Sequence, residues 1–392
     1  MIMKYFLNLF ILFFCSLSIA QVDNQYAAVD LVMNKIPADK TVSTADIASY
    51  IETNFKTDSD RIRGIFYWTA SNISYDIANM NEPNYVYTPK EKIEYALKNR
   101  KGVCINYAEV FNEIANLLKI KTVIIGGYTK QFGKIATISH AWNASKIDGK
   151  WLFFDPTWGS GYVNNEKFFK KLNNNYFKVL PSKITQSHMP FDYLWQFSKN
   201  PITNNEFVTG SLDKNKKSIN FDFESELEKY EALSAEEQAF QTSKRVEQNG
   251  VINALISDYL NNKKQEFLVV TQNKNIENLN QIIIDYNQSI ALLNDFIQYR
   301  NKKFKPDFSD SVISEMIKMP FETLKKCQED LNKLGSVGKE NQSNLSNLRI
   351  QMSHNYKIAE EHNAFVREYL SKSKSQRKGM FSKTSFFGIP LR

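Results

Sequence analysis

The sequence predicts an α+β chain in two parts, helices with an antiparallel sheet first and then an all-α helical bundle or coiled-coil hairpin. Three observations carry that expectation. Over residues 28–200, amphipathic helical runs alternate with β-branched runs. Asp148-Gly149 separates two β-rich stretches, a short-range hairpin signal. From Ile276 onward, apolar residues step by 3 and 4, the spacing of a helical seam.

The first twenty residues stand apart. Lys4 precedes an apolar run over 5–14, and Ser18, Ile19 and Ala20 suit a small-residue cleavage site. Residues 1–20 therefore read as a signal peptide and the protein as exported, periplasmic or secreted. The run is shorter than the ~20 apolar residues needed to cross a bilayer, and no later stretch reaches that length, so no transmembrane segment is expected. Phe13 and Phe14 argue against lipid attachment at Cys15.

What remains exceeds one domain of about 100 to 200 residues. The reading is a first domain over 21–200, a polar linker over 201–217 holding Pro201 and Gly210, a helical domain over 218–372 and a basic, flexible tail over 373–392. In the first domain, 45–55, 60–72 and 90–99 read as helices, with Asp60 as an N-cap of the second and Thr88-Pro89 starting the third. Residues 121–130 read as a strand. In the helical domain, Ile276, Leu279, Ile283, Tyr286, Ile290, Leu293 and Ile297 form one seam. Leu345, Leu348, Met352, Asn355, Ala359, His362, Val366 and Tyr369 form a second with two polar interruptions. Leu324, Cys327, Leu331 and Leu334 lie between them, with breaks near Lys305-Pro306 and at 335–338.

Composition excludes some functions. A net charge of +8 comes from 50 Lys and Arg against 42 Asp and Glu, only nine of the basic residues being Arg. They are scattered without interleaved aromatics, so a nucleic-acid partner is not expected. Once 1–20 is set aside, Cys104 and Cys327 are the only cysteines, too few for a disulfide framework or a CxxC metal pair. The four histidines, 140, 188, 354 and 362, form no HExxH or HxxxH pair. No metal and no cofactor are expected.

The hairpin fixes a register. With Asp148 and Gly149 as the two loop residues, Ile147 faces Lys150 and opposed positions sum to 297. Trp142 then faces Asp155, and His140 lies one diagonal step away on the same face. A loop one residue longer would send Asp155 to the other face.

Cys104 follows Gly102 at the start of an amphipathic helix, where dipole and unpaired amides favour a thiolate. His140 is placed to be its base and Asp155 to orient the imidazole, the logic of thiol catalysis. Taken singly, the bland readings are the commoner ones: a small buried hydrophobe for Cys104, a hydrogen-bonded core residue for His140, a strand-end cap for Asp155. Their order and placement on one hairpin favour the functional reading. His188 reads as a loop residue anchoring a turn, Trp158-Gly159 as closure of the hairpin, and Cys327 as core packing.

The segments Gly102-Val103-Cys104, His140-Ala141-Trp142-Asn143 and the run W-x-x-x-D-P-T-W over 151–158 resemble the transglutaminase-like branch of the papain-type cysteine enzymes. YWTASNISYD over 67–76 is similar to that domain's first helix and following strand, and SHMPFDYLWQF over 187–197 resembles bacterial relatives of kyphoscoliosis peptidase. The likeness spans about residues 28–207. It implies a papain/transglutaminase-like fold, with Cys104 as nucleophile, His140 as general base and acid, and Asp155 as orienter. The backbone N–H of Cys104 is the first oxyanion donor by position, and Trp68 or Tyr75 the second, although a core role for Trp68 is the commoner case. Trp142, on the histidine's face, is placed to wall the cleft.

Two functions follow. One is an acyl-transfer enzyme with a protein or peptide substrate, whose thioester goes to water in a peptidase or amidase, the favoured reading, or to an amine in a crosslinker. The other is a non-catalytic binding or scaffolding protein whose helices self-associate or take a partner helix.

Overall fold

The computed structural model describes residues 25–81, 87–212 and 220–381, with two short strands at Ser385–Phe386 and Ile389–Pro390. The expected signal peptide, 1–20, lies outside the described residues. Two compact units are present, Met1–Leu227 with Arg245–Asp258, and Glu228–Lys244 with Tyr259–Arg392.

The first unit opens with α1 (Ala27–Met33), α2 (Thr44–Asn54) and α3 (Asp58–Asn72). The N-cap of α3 is Thr57 rather than Asp60. Thr57 accepts the Asp60 N–H at 3.1 Å and donates its hydroxyl to the Asp60 carboxylate at 2.7 Å, because a cap must sit outside the helical backbone it serves. Arg63 on α3 is almost fully buried and forks onto Asp30 of α1 with two bonds of 2.7 Å. Its guanidinium also lies 4.4 Å from the Tyr26 ring centre.

Strand β1 (Ser74–Tyr75), α4 (Pro89–Asn99) and β2 (Lys101–Gly102) lead to α5 (Cys104–Leu117). Thr88 caps α4 with Pro89 at its first turn, and Tyr75 pairs with Gly102 in parallel. These short pieces aim the entry to α5. Asn106 completes that entry by accepting the Val103 N–H at 2.9 Å and donating to the Lys92 carbonyl at 3.0 Å.

The sheet consists of β3 (Thr122–Gln131), β4 (Lys134–Ile135), β5 (His140–Ile147) and β6 (Lys150–Phe154) in the order β4-β3-β5-β6. Asp148 and Gly149 both have positive φ, 50° and 75°, as a two-residue hairpin loop needs. The β5–β6 register runs from Ile147↔Lys150 to Asn143↔Phe154, each pair summing to 297. β5 begins only at His140, so residues 136–139, though β-rich in part, lie outside the hairpin. Pro156 ends β6 and starts α6 (Pro156–Ser160), so Trp158 and Gly159 belong to a helix and not to hairpin closure.

A ribbon of β7 (Gly161–Asn164) and β8 (Lys167–Lys170) follows, then α7 (Pro181–Ile184) and β9 (His188–Pro190). β9 adds to β3 through Gly127↔Pro190 and Thr129↔His188. The expected linker over 201–217 contains α8 (Asn204–Thr209), whose Phe207 is buried and meets Tyr128 edge-on at 5.3 Å. An aromatic anchor thus draws this polar stretch into the first unit. α9 (Phe223–Glu231) follows, and α10 (Ala235–Gln248) supplies Arg245, which forks onto buried Asp192 at 2.7 to 3.0 Å.

The second unit is built on α11 (Ala254–Asn301), α12 (Asp310–Lys333) and α13 (Gln342–Ser371), broken near the expected places. Leu279, Tyr286 and Leu293 are buried together with Ile282 and Phe296, so the apolar stripe is wider than a two-position seam and serves more than one neighbour. Both polar interruptions of α13 are bonded to α11, Asn355 donating to the Tyr286 hydroxyl at 2.6 Å and Arg300 to Nδ1 of His362 at 2.6 Å. The expected flexible tail begins with α14 (Lys374–Met380), held by a bidentate Arg377–Asp310 pair and by Phe381 against Tyr369. Among the described residues, no helix is long and apolar enough to cross a membrane.

Candidate active site

Each of the three residues named from sequence stands at the end of its element. Cys104 is the first residue of α5, His140 is the first of β5, and Asp155 is the N-cap of α6 immediately after β6. Element ends are where side chains escape the ladder of their own strand or helix. α5 packs on the sheet face opposite to His140, with Asn143 donating to the Ala108 carbonyl at 3.0 Å and Phe111 against Phe154 at 5.4 Å. The ends of helix and strand thereby come together.

His140 Nε2 lies 2.8 Å from Asp155 Oδ2. The Cys104 side chain is close enough to the same imidazole to raise its affinity for a proton. Cys104 is half-buried, not sealed in the core. Cys327 is buried in the second unit, and both thiols are free.

Electrostatics follow from the pairing. Burial of His140 disfavours its charge, but the Asp155 carboxylate and the bonds to Asp155 and Cys104 outweigh it and raise the imidazole from 6.5 to about 10. Burial likewise works against the Asp155 charge, and the imidazoles of His140 and His188 overcome it, holding the carboxyl well below its ordinary range. A thiol beside a charged imidazole is prepared for nucleophilic attack.

Asp155 is completely buried and fully hydrogen-bonded. Its Oδ1 accepts the backbone N–H groups of Thr157 at 2.9 Å and Trp158 at 3.0 Å. Its Oδ2 takes His140 and, at 3.0 Å, His188 Nε2. His188 is therefore no loop residue anchoring a turn. It lies on β9 with no solvent exposure, and its Nδ1 is 2.8 Å from Ser187 Oγ. The sequence carries no local signal for this, because the β3–β9 pairing joins segments some sixty residues apart.

The donor atoms of His140, Asp155 and His188 lie within 4.8 Å of one another, a spacing that a metal ion could use, and no other such group occurs among the described residues. Both imidazole Nε2 atoms are already engaged with Asp155 Oδ2, so the arrangement works as it stands as a hydrogen-bonded network.

The three candidate substrate contacts separate. Trp68 and Trp142 have no solvent exposure, and their indole N–H groups are buried without a hydrogen-bond partner. Neither offers a surface to a substrate. Trp142 instead stacks on His140, ring centres 5.8 Å apart at 24°, and Trp68 lies 5.0 Å beneath the Arg100 guanidinium. Tyr75 is only partly buried. Burial and then the negative charges of Cys104, Asp155 and Asp76 push its phenol up, so its O–H stays available as a donor beside the sulfur.

The profile of the Transglutaminase-like superfamily matches residues 45–156, the segment that contains Cys104, His140 and Asp155. The chain is 29% identical to human kyphoscoliosis peptidase over 199 residues, 48% of this chain and 29% of that protein. It is 22% identical to hillarin of Drosophila melanogaster over 47% of this chain and 24% of that protein. It therefore spans under a third of the length of these curated relatives. A solved structure titled as a TGase is 17% identical over 41% of this chain and 40% of that chain, with a TM-score of 0.25. Residues 45–156 of this protein thus match a transglutaminase-like domain.

Proposed function

We propose that the chain is a cysteine-dependent acyl-transfer enzyme acting as a peptidase or amidase on a protein or peptide substrate. The observation that carries this is one imidazole, His140, bonded to a buried carboxylate and raised in basicity by that carboxylate and by the half-buried Cys104 thiol near it. The Cys104 thiolate attacks the carbonyl carbon and a C–S bond forms. Collapse of the tetrahedral adduct breaks the C–N bond, and His140 gives its proton to the departing nitrogen. His140 then takes a proton from water as the oxygen attacks the thioester, the C–S bond breaks, and the carboxylic acid leaves. The Cys104 backbone N–H at the start of α5, where helix geometry leaves amides without intrahelical partners, and the Tyr75 hydroxyl are the donors for the developing oxyanion.

Iodoacetamide labelling of the folded chain, mapped by mass spectrometry, tests the nucleophile. Cys104 is modified rapidly at pH 7, and the C104S variant takes up no label at that rate. Equal labelling rates for Cys104 and a free cysteine peptide at every pH from 5 to 9 refute the activation. Product analysis with added alkylamine separates hydrolysis, the outcome expected here, from transfer to the amine. Export is proposed from residues 1–20 alone, and N-terminal sequencing of the mature protein tests it.

A second reading has its own observation. Ile284 and Leu292 on α11 and Ile350 on α13 are exposed apolar residues, at 49%, 44% and 69%. A helical unit that self-associates would cover them. Sedimentation over a hundredfold range of concentration tests this, a constant monomer mass being the contrary result.

A further inference from the structure

We propose that His188 is a positioning residue of this site, an imidazole whose Nε2 holds the Asp155 carboxylate in the rotamer and the charge state that His140 requires. The inference rests on the acyl-transfer reading of Cys104 and extends it to a residue that never meets substrate.

The geometry assigns the role. An ionised carboxylate offers about four acceptor positions, and Asp155 uses them as two pairs, backbone N–H groups on Oδ1 and imidazoles on Oδ2. The backbone pair anchors one oxygen to the first turn of α6. Without His188, the other oxygen would keep one donor in a place no water reaches, and an unfilled lone pair on a buried charge is costly.

The two histidines arrive from opposite edges of β3. Gly127 faces His140 on β5 and Pro190 on β9, and Thr129 faces His188. Both imidazoles therefore project from the same face of the sheet, and their ring centres lie 5.5 Å apart. The His188 ring is enclosed by Trp158 at 4.6 Å, Trp142 at 5.1 Å and Tyr176 at 6.0 Å. Such a box leaves no second orientation.

The tautomer follows from the partners. Asp155 only accepts, so His188 Nε2 carries the proton. Ser187 Oγ, 2.8 Å from Nδ1, donates its hydroxyl to that nitrogen when the ring is neutral. The titratable groups facing the ring are Asp155, His140 and Tyr176. Tyr128 on β3 pairs with Met189 and turns to the other face. Burial, reinforced by the positive charge of His140 against the pull of Asp155, lowers the affinity of His188 for a second proton. One oxygen thus serves two imidazoles whose affinities for a proton are pushed in opposite directions, His140 up and His188 down.

The consequence appears on the acid side. His188 stabilises the Asp155 anion, and protonating Asp155 removes the partner that keeps His140 charged beside the sulfur. In the full-length chain, H188L moves the acid limb of the pH profile for Cys104 alkylation to higher pH by about one unit, the scale of one hydrogen bond to a charge. H188Q, which keeps a side-chain N–H donor, brings the limb back toward the wild-type position. A folded H188L whose rates fall equally at every pH, with the limb unmoved, shows a merely structural residue and overturns the proposal. Failure of H188Q to recover any of the shift overturns it as well.

A measurement on the wild type covers the case in which H188L does not fold. Long-range proton–nitrogen correlation spectra of the histidine rings report tautomer and charge. His188 is expected as the neutral Nε2–H form at pH 7, where His140 is doubly protonated. A charged His188 at pH 7, or the Nδ1–H tautomer, refutes the role even if Cys104 is catalytic. An unreactive Cys104 with the expected His188 tautomer sinks the catalytic reading and leaves this network standing.

Discussion

Gly127 has its missing side chain filled by Trp142. A Cβ at position 127 would come within 2.5 Å of Trp142 Cη2 and would also run into the Met189 carbonyl oxygen of β9. Trp142 in turn carries the His140 ring on its face. Gly127→Ala therefore forces the indole or β9 to move, at a cost of about 1 to 3 kcal/mol for overpacking. Urea melts read the stability loss, and a slower alkylation of Cys104 in the folded variant reads the displaced imidazole. Alanine tolerated with neither change contradicts the packing.

The sign of the pH dependence at His140 is set by its raised pKa. A group whose folded pKa exceeds the unfolded value of ~6.5 contributes stability below that value and loses it as pH rises through the folded one. The stability gap between wild type and H140Q should be full near pH 6.5 and close as pH rises through about 10. For Asp155 the shift is downward, so the gap to D155N persists above about pH 4 and closes only as pH falls below it. Denaturant melts at pH 2.5, 5, 7 and 10.5 check both, a constant H140Q gap, or a D155N gap unchanged at pH 2.5, being the contrary outcome.

Arg63 and Asp30 form an almost fully buried, bidentate pair. Removing one partner strands the other's charge, so R63M should cost about 3 to 5 kcal/mol, and the double variant R63M with D30N should recover part of it. A double variant less stable than R63M alone in urea would count against the pair.

Asn106 ties the entry of α5 to α4 through two bonds, to the Val103 N–H and the Lys92 carbonyl. N106A should lower stability by about 1 to 3 kcal/mol, since it leaves a buried N–H unsatisfied. It should also slow Cys104 labelling by loosening the first turn. Both are read from one sample by melting and by timed alkylation.

The two thiols differ in environment. Cys327 is buried on α12, and burial together with Asp285 and Asp330 pushes its thiol up to about 11. At pH 7, one equivalent of electrophile should modify Cys104 alone in the folded chain, and both cysteines only in denaturant. Early modification of Cys327 in the folded chain would contradict its burial.

Much of this arrangement was legible from local rules. The Asp148-Gly149 loop sets the β5–β6 register, because two-residue hairpins leave no freedom in pairing, and that register alone placed His140 and Asp155 on one face. Thr88-Pro89 marked a helix start, and the 3 and 4 steps located the helices of the second unit, because capping and seam spacing act within a few residues. The rest needed the fold. The meeting of Cys104 with His140 depends on how α5 docks on the sheet. The burial of Trp68 and Trp142 depends on what covers them, and the recruitment of 204–209 depends on Phe207 finding Tyr128. His188 is the clearest case, since a three-residue strand closing a long loop onto β3 leaves no periodic trace. Short-range backbone geometry is written in neighbouring residues, whereas contacts across long loops are decided by which apolar surfaces fit together.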